Sequence, residues 1–343
     1  MTNALITGIT GQDGSYLAEF LLKRDYKVYG LIRRSSAGPN LQNIEHIKDD
    51  IQFLQGDMTD GDSLKRAVQE SNPDEIYNLA AQSFVPMSWA SPTYTVNCNL
   101  GGFIYLLEAV RDFRGARLNP IKVYQASTSE MYGNHDDRIR SDGIYPALNE
   151  YSRMNPRSPY GVSKLGAHRM AQVYRESFDM FVSCGILFNH ESPRRGKMFV
   201  TRKITSQVAE IIFKKREKIQ LGNINARRDW GYAGDYVRAM WLMLQQEEPS
   251  DYVIGTGESF SIRDCVIQSF IAAKELVGND VSIENVISKC VEIDEQFVRP
   301  AEINVLMADY SKAEAELGWK PTVRFPQLIK KMVKHDLEQE GIL

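Results

Sequence analysis

Cysteine and histidine are scarce, four and five in 343 residues. Cys98, Cys184, Cys265 and Cys290 lie far apart and form no CxxC pair or Cys/His cluster. That spacing excludes a disulfide scaffold and argues against a zinc site, so free buried thiols and no metal are expected. No stretch approaches the roughly 20 apolar residues of a membrane span. Neither charge sign dominates: 41 Lys+Arg face 44 Asp+Glu, a net charge of −3. General attraction to nucleic acid or an anionic membrane is therefore not expected, and an anionic ligand must be met by local charge. The chain opens on a strand pattern without the basic start and apolar run of a secretory signal, so a cytoplasmic protein is expected. There is no internal repeat or low-complexity tract. What remains, 43% hydrophobic and 25% charged residues, is an ordinary globular composition. The length allows two domains or one large α/β unit.

Short β-branched runs alternate with amphipathic stretches. Residues 4–7, 28–32, 51–54, 75–80, 122–126 and 181–187 read as strands. From Gly14 to Arg24, Leu17, Ala18, Phe20 and Leu21 share a helical face, as do Leu64, Ala67 and Val68 between Asp62 and Glu70. The alternation predicts an α/β fold with a doubly wound, Rossmann-like parallel sheet. After Leu187 the rhythm changes to a Pro/Arg-rich loop, a helix near 200–215 and a Gly-containing segment to Gly231. A helix at 235–246 and a strand at 251–254 read as returning to the sheet. The expected division is residues 1–187 with 232–256 as a nucleotide-binding unit, and 188–231 with 257–343 as a smaller substrate-binding unit.

The first strand runs into Gly8-Ile9-Thr10-Gly11-Gln12-Asp13-Gly14 and a helix follows. Glycine suits a tight turn, close approach to a pyrophosphate, and close packing of helix on strand. The helix N-terminus then offers N–H groups to phosphates. A tight turn without a ligand is the plainer reading. Dinucleotide folds that hold NAD place an acid about 20 residues beyond the glycines. Here the second strand ends in Leu31-Ile32-Arg33-Arg34-Ser35-Ser36. Two guanidiniums there suit a 2′-phosphate and favour NADP, the alternative being two solvated arginines. Asp57 either accepts from an adenine amino group or caps a helix at Thr59 or Asp60.

The strand ending at Ala126 leads into Ser127-Thr128-Ser129-Glu130. If the chain stays extended there, Thr128 and Glu130 share a side, at the carboxyl edge where such sheets bind ligands. Alone, Glu130 is equally a polar loop residue. Tyr160-Gly161-Val162-Ser163-Lys164 is a YxxxK at helical spacing, so an ammonium beside a phenol is expected to lower its pKa and make an acid/base pair for an alcohol.

Together these features resemble the extended short-chain dehydrogenase/reductase superfamily over nearly the whole chain. Longer strings resemble the GDP-mannose 4,6-dehydratases: the glycine turn, Arg33-Arg34-Ser35-Ser36, Ala81-Gln82-Ser83, Ser127-Thr128-Ser129-Glu130, Arg157-Ser158-Pro159-Tyr160, Phe188-Asn189-His190-Glu191-Ser192-Pro193-Arg194-Arg195-Gly196 and Arg228-Asp229-Trp230-Gly231. The resemblance implies oxidation of a GDP-sugar at C4, loss of water across C5 and C6, and hydride return to C6, so bound NADP recycles without net redox. It assigns Tyr160 to the C4 hydroxyl with Lys164 holding it ionised, Glu130 to the C5 proton and the C6 hydroxyl, and Thr128 to a hydrogen bond at the C4 oxygen. It assigns cofactor contacts to Gly8, Thr10, Gly11, Gln12, Asp13, Arg33, Ser35, Ser36, Asp57, Met58, Leu79, Ala81, Ser83, Tyr94, His190 and Arg195, beside Gly14 and Lys164. On composition alone, His190 is an ordinary loop histidine. For the substrate, Lys203, Arg228 and Arg299 match diphosphate positions, Glu302 suits a ribose or base, and Asn189 and Gly222 add contacts. Each lone cation otherwise reads as a solvated surface charge.

Two segments depart from the family pattern: an insertion at 134–142, and Ala37-Gly38-Pro39-Asn40 after Ser36. A GDP-heptose is therefore an alternative substrate. An epimerase or ketoreductase on this scaffold would not need Glu130; another nucleotide-sugar dehydratase would not need the Asn189 to Gly196 string. A non-catalytic NADP-binding regulator would not need Tyr160 and Lys164. The resemblance further implies a homodimer or homotetramer, paired through helices near 97–111 and 158–174, with the 34–39 loop used in a tetramer.

Overall fold

The computed structural model describes residues 1–343 apart from 35, 37, 115–119, 136–144, 279–282 and 342–343. Its strands are β1 (Asn3–Thr7), β2 (Lys27–Ile32), β3 (Ile51–Gln55), β4 (Glu75–Asn78), β5 (Lys122–Thr128), β6 (Val182–Leu187), β7 (Asn189–Glu191), β8 (Ile219–Leu221), β9 (Arg227–Arg228), β10 (Trp230–Tyr232), β11 (Asp251–Ile254), β12 (Phe260–Ser261) and β13 (Val291–Ile293). Its α-helices are α1 (Gln12–Leu22), α2 (Gly61–Ser71), α3 (Val85–Ala90), α4 (Pro92–Val96), α5 (Gly102–Arg114), α6 (Pro159–Phe178), α7 (Val200–Ile212), α8 (Ala233–Leu244), α9 (Ile262–Val277), α10 (Val286–Cys290), α11 (Ser311–Leu317) and α12 (Phe325–Gln339).

Seven strands form one sheet in the order β11-β6-β5-β4-β1-β2-β3, and every adjacent pair is parallel. Every residue of β4 and β6 is buried, as a parallel strand covered on both faces requires. Leu17, Ala18 and Leu21 of α1 pack one face together with Val237, Met240 and Met243 of α8. Leu64 and Val68 of α2, Phe103 and Leu107 of α5 and Ala171 of α6 cover the other. The strand order reverses direction between β1 and β4, which opens a crevice at their carboxyl ends. The doubly wound parallel sheet is the one the alternation of sequence patterns predicts.

A separate apolar cluster joins Ile204 and Val208 of α7, Val266 and Phe270 of α9, and Leu328 and Met332 of α12. Ala313, Leu317 and Trp319, expected with that second unit, instead belong to the cluster on the α1/α8 face of the sheet. The reason is local: Trp319 Nε1 donates to Asp235 O, and its ring meets Tyr236 edge-on. The chain thus crosses back to the first core before α12 returns to the second. Several sequence boundaries also shift by a few residues, two of them at the crevice. β4 stops at Asn78 rather than residue 80, and β5 runs on to Thr128 because it pairs with β6 as far as Leu187.

Candidate functional site

The crevice opens into one continuous cavity of about 1400 Å³, lined at one end by the glycine turn and at the other by β8, β10 and the 296–302 segment. Thr7 staples the crevice: its hydroxyl donates to Asn78 Oδ1 at 2.7 Å and accepts from the N–H groups of Leu79 and Ala80. Gly8 has φ +71°, and a Cβ there would lie 2.8 Å from Ala80 N. At Gly14 a Cβ would lie 2.4 Å from Gly8 O. A side chain at either position would break the turn. Gly11 caps α1 without a side-chain acceptor, leaving the first N–H groups of that helix turned to the cavity end that Thr10, Gln12 and Asp13 also line.

Arg33, Asp57, Met58, Leu79, Ala81, Ser83 and Tyr94 line the same end. Arg33 Nη1 lies 3.4 Å from Tyr94 Oη. Asp57 Oδ1 accepts from Thr59 N and Oγ1, while Asp60 caps α2 by accepting from Ser63 N at 3.2 Å. Asp57 therefore shapes the turn rather than capping the helix. Ser36 sits on an exposed turn and does not line the cavity, and Ser35 lies outside the described residues, as do 136–142 of the insertion.

At the middle of the cavity stand Thr128, Glu130, Tyr160 and Lys164, all buried. Ser158 caps α6, its hydroxyl accepting from Gly161 N at 3.0 Å, and Pro159 opens the first turn, which carries Tyr160 inward. The chain does not stay extended after Thr128, the condition on which Thr128 and Glu130 would share a side. The strand ends there, Ser129–Met131 is a single 3-10 turn, and Thr128 Oγ1 accepts from Glu130 N. A turn is possible because Gly161 lets α6 come close: a Cβ there would meet Glu130 O at 2.9 Å. Glu130 thus reaches the cavity from the turn, not by strand alternation.

Lys164 Nζ donates to Ala126 O at 2.8 Å, and burial lowers its pKa to about 8. The Tyr160 hydroxyl is pushed up to about 12 by burial, against a hydrogen bond from Thr128 that lowers it. The expected lowering of Tyr160 by Lys164 does not arise in the chain: desolvation dominates the phenol, and the ammonium is turned to a carbonyl. His190 Nε2 meets Asp13 Oδ2 at 2.7 Å, and its ring stacks on Tyr236. Arg195 pairs with Glu191 at 3.3 Å and covers the Phe199 ring.

The far end carries the remaining sequence candidates. Lys203 Nζ lies 3.3 Å from the Phe297 ring centre, and Asn189 and Gly222 line the wall. A Cβ on Gly222 would fall 2.4 Å from Phe297 O, so glycine there admits the 294–302 segment. Arg228 Nη2 bonds Glu302 Oε1 at 3.3 Å, while Arg299 Nη1 lies 3.3 Å from Glu130 Oε1. All six substrate candidates line the cavity. Sequence reasoning missed Gln207 and Trp230, which line it too; Gln207 Oε1 and Trp230 Nε1 are buried without a hydrogen-bond partner among the described residues. Such orphaned polar atoms at a cavity wall mark where a polar ligand would satisfy them. Gln207 carried no signal, but Trp230 stood within the Arg228 to Gly231 string.

Away from the cavity, His168, Cys184 and Asp251 bring potential metal-ligand atoms within 4.8 Å of one another. Both Asp251 oxygens are engaged by Arg175, and Ser127 Oγ contacts His168 Nδ1, so the group reads as a buried ion-pair network. Among the described residues no helix is long and apolar enough to cross a membrane.

A doubly wound sheet whose switch-point crevice holds a glycine turn and a buried Tyr/Lys pair defines a dinucleotide-dependent enzyme scaffold. Residues 5–332 match the family model described as GDP-mannose 4,6 dehydratase. The chain is 48% identical to GDP-mannose 4,6 dehydratase 1 of Arabidopsis thaliana, covering 98% of this chain and 90% of that one. It is 44% identical to the GDP-mannose 4,6-dehydratase of Vibrio cholerae, over 98% and 94%. Among solved structures, a UDP-glucose 4-epimerase of Thermus thermophilus in complex with NAD superposes with a TM-score of 0.80, at 26% identity and 99% coverage of both chains. A dTDP-glucose 4,6-dehydratase of Bacillus anthracis, also with NAD, shares the fold at a TM-score of 0.81 and 23% identity, covering 99% and 98%. The chain belongs to the GDP-mannose 4,6-dehydratase family.

Proposed function

We propose that this protein converts GDP-mannose to a GDP-4-keto-6-deoxy sugar with a nicotinamide dinucleotide, NADP, as recycled cofactor. The observation that carries the reading is the single cavity joining the glycine turn, the Thr128, Glu130, Tyr160 and Lys164 group, and three cations at its far end. The cofactor fits the chain's own features: the Gly8 and Gly14 cradle that a Cβ would fill, the uncapped N-terminus of α1, and Arg33 at the end of β2 in place of an acid. When bound, it would accept a hydride from C4 of the sugar and return one to C6.

The protein's residues divide the proton work. Tyr160 takes the C4 hydroxyl proton, with the Thr128 hydroxyl and the Arg195 charge lowering the cost of the phenolate. Once C4 is a ketone the C5 proton is acidic, and Glu130 removes it. The resulting carboxylic acid protonates the departing C6 hydroxyl, so water leaves and Glu130 is a carboxylate again; as C6 is reduced, C5 takes up the proton that Tyr160 removed from the C4 hydroxyl, by then exchanged with solvent, and the phenolate is restored. Arg228, Lys203 and Arg299 supply the charge a diphosphate needs in a protein with a net charge of −3. Asn189, His190 and Arg195 line the cavity where its two ends meet. We assign residues 1–187 with 232–256 and 311–319 to the cofactor unit, and the remainder to the substrate unit. Tyr105 of α5 and Val162 and Val173 of α6 are exposed, which favours pairing of two copies through these helices.

The test is incubation with NADP and GDP-mannose in heavy water. A 4-keto-6-deoxy product carrying deuterium at C5 is the expected result. No turnover with NADP bound would exclude this sugar.

A further inference from the structure

Arg299 stands between two roles. Its guanidinium has five donors, yet its partners among the described residues are carboxylates alone: Glu130 at 3.3 Å and, more distantly, Glu302 at 4.0 Å. It rides on a segment held across the far end of the cavity. There Asp294 N donates to Leu221 O, β13 pairs with β8, Phe297 O sits over the place a Gly222 side chain would take, and Lys203 covers the Phe297 ring. Glu302 is already bonded to Arg228. The cation nearest Glu130 is thus carried by the segment that also walls the cation-rich end.

From this juxtaposition we infer that Arg299 is a positioning residue that exchanges partners, holding Glu130 while the nucleotide end is empty and passing to the substrate's diphosphate when it is seated. The inference rests on the functional reading above and adds a coupling to it. A carboxylate committed to a guanidinium is a poor proton acceptor, so the base is free only when the diphosphate has displaced it. A diphosphate carries more than one negative charge and suits the planar fork, so it competes well with a single carboxylate. The device ties proton abstraction at C5 to recognition of the nucleotide.

If Glu130 and the diphosphate compete for one guanidinium, removing the Glu130 charge must tighten nucleotide binding, and must do so only while Arg299 is present. Calorimetric titration of GDP into the NADP-loaded protein reads this directly for wild type, Glu130→Gln, Arg299→Ala and the double variant. Glu130→Gln is expected to bind GDP about three- to tenfold tighter than wild type. In the Arg299→Ala background the same change is expected to have no effect. Arg299→Gln supplies the same corner of the cycle if the alanine variant does not fold. Equal tightening in both backgrounds would mean simple charge repulsion by Glu130 and would overturn the exchange, as would no tightening at all. Failure of the wild type to bind GDP would instead remove the nucleotide reading itself and the exchange with it.

Discussion

His190 Nε2 lies 2.7 Å from Asp13 Oδ2, so the central residue of the short strand β7 closes onto the first turn of α1, far away in the chain. Burial would push the two groups to their neutral forms. Their mutual attraction wins: the His190 imidazolium is favoured by the Asp13 charge, and Asp13 is held below the usual carboxylate range by His190. The Asp13 contribution to stability is present above its unfolded pKa and is lost as pH falls through its folded one. The His190 contribution is present below its unfolded pKa and is lost as pH rises through its raised folded one. His190→Ala is therefore expected to destabilise by about 1–2 kcal/mol at a pH between the ordinary values of the two groups, 3.8 and 6.5, since the pair is partly exposed. The deficit should shrink at both lower and higher pH, as read by urea unfolding across that range. A deficit independent of pH would assign the effect to lost stacking on Tyr236.

Glu130→Gln should lower dehydration by about 10²- to 10⁴-fold, the range of general acid–base catalysis, with NADP affinity nearly unchanged. A carboxamide keeps the shape of the side chain but cannot take the C5 proton. Turnover and cofactor titration on the same preparation check both halves, and retained turnover would remove Glu130 from the mechanism.

Arg33→Ala is expected to weaken NADP by about tenfold and NAD hardly at all, because its fork of donors suits a 2′-phosphate that NAD lacks. Fluorescence titration with the two dinucleotides separates these outcomes. Equal losses would return Arg33 to an exposed surface charge.

Lys164 is a buried base whose pKa falls from 10.5 to about 8 in the fold. Between those values the unfolded chain binds more protons than the native one, so this group adds stability as pH rises. Compared with Lys164→Met, the wild type should gain about 2 kcal/mol between about pH 8 and about pH 10. Denaturant midpoints at the two pH values test it. Parallel curves for the two proteins would show that Lys164 is not desolvated.

Asp229 accepts from Thr256 N and Oγ1, Gly257 N and Ala308 N, tying β9 and β10 to the loop after β11. Asp229→Ala leaves these buried donors without their acceptor and should cost about 3 kcal/mol. Urea unfolding measures the cost. A loss under about 1 kcal/mol would mean that water replaces the carboxylate.

Much of this architecture is legible before any coordinates. The glycine turn, the alternation of strand and helix and the Tyr160/Lys164 spacing are local, because each follows from backbone sterics or helical period acting over a few residues. What was misjudged depends on packing between distant segments. Thr128 and Glu130 do not share a strand side, because Gly161 of α6 admits a tight turn at 129–131. Lys164 faces Ala126 O, where β5 passes beneath α6. Gln207 lines the cavity only because α7 packs beside β8.

The sequence alone therefore determined the fold class, the dinucleotide turn and the residue types available for proton transfer, since these are set by short-range periodicity and by side-chain chemistry. Only the tertiary structure decided which of those residues face one another. The pairs Glu130 with Arg299, and Asp13 with His190, join segments more than a hundred residues apart. Burial and charge act on them through distances in space, which no spacing along the chain encodes.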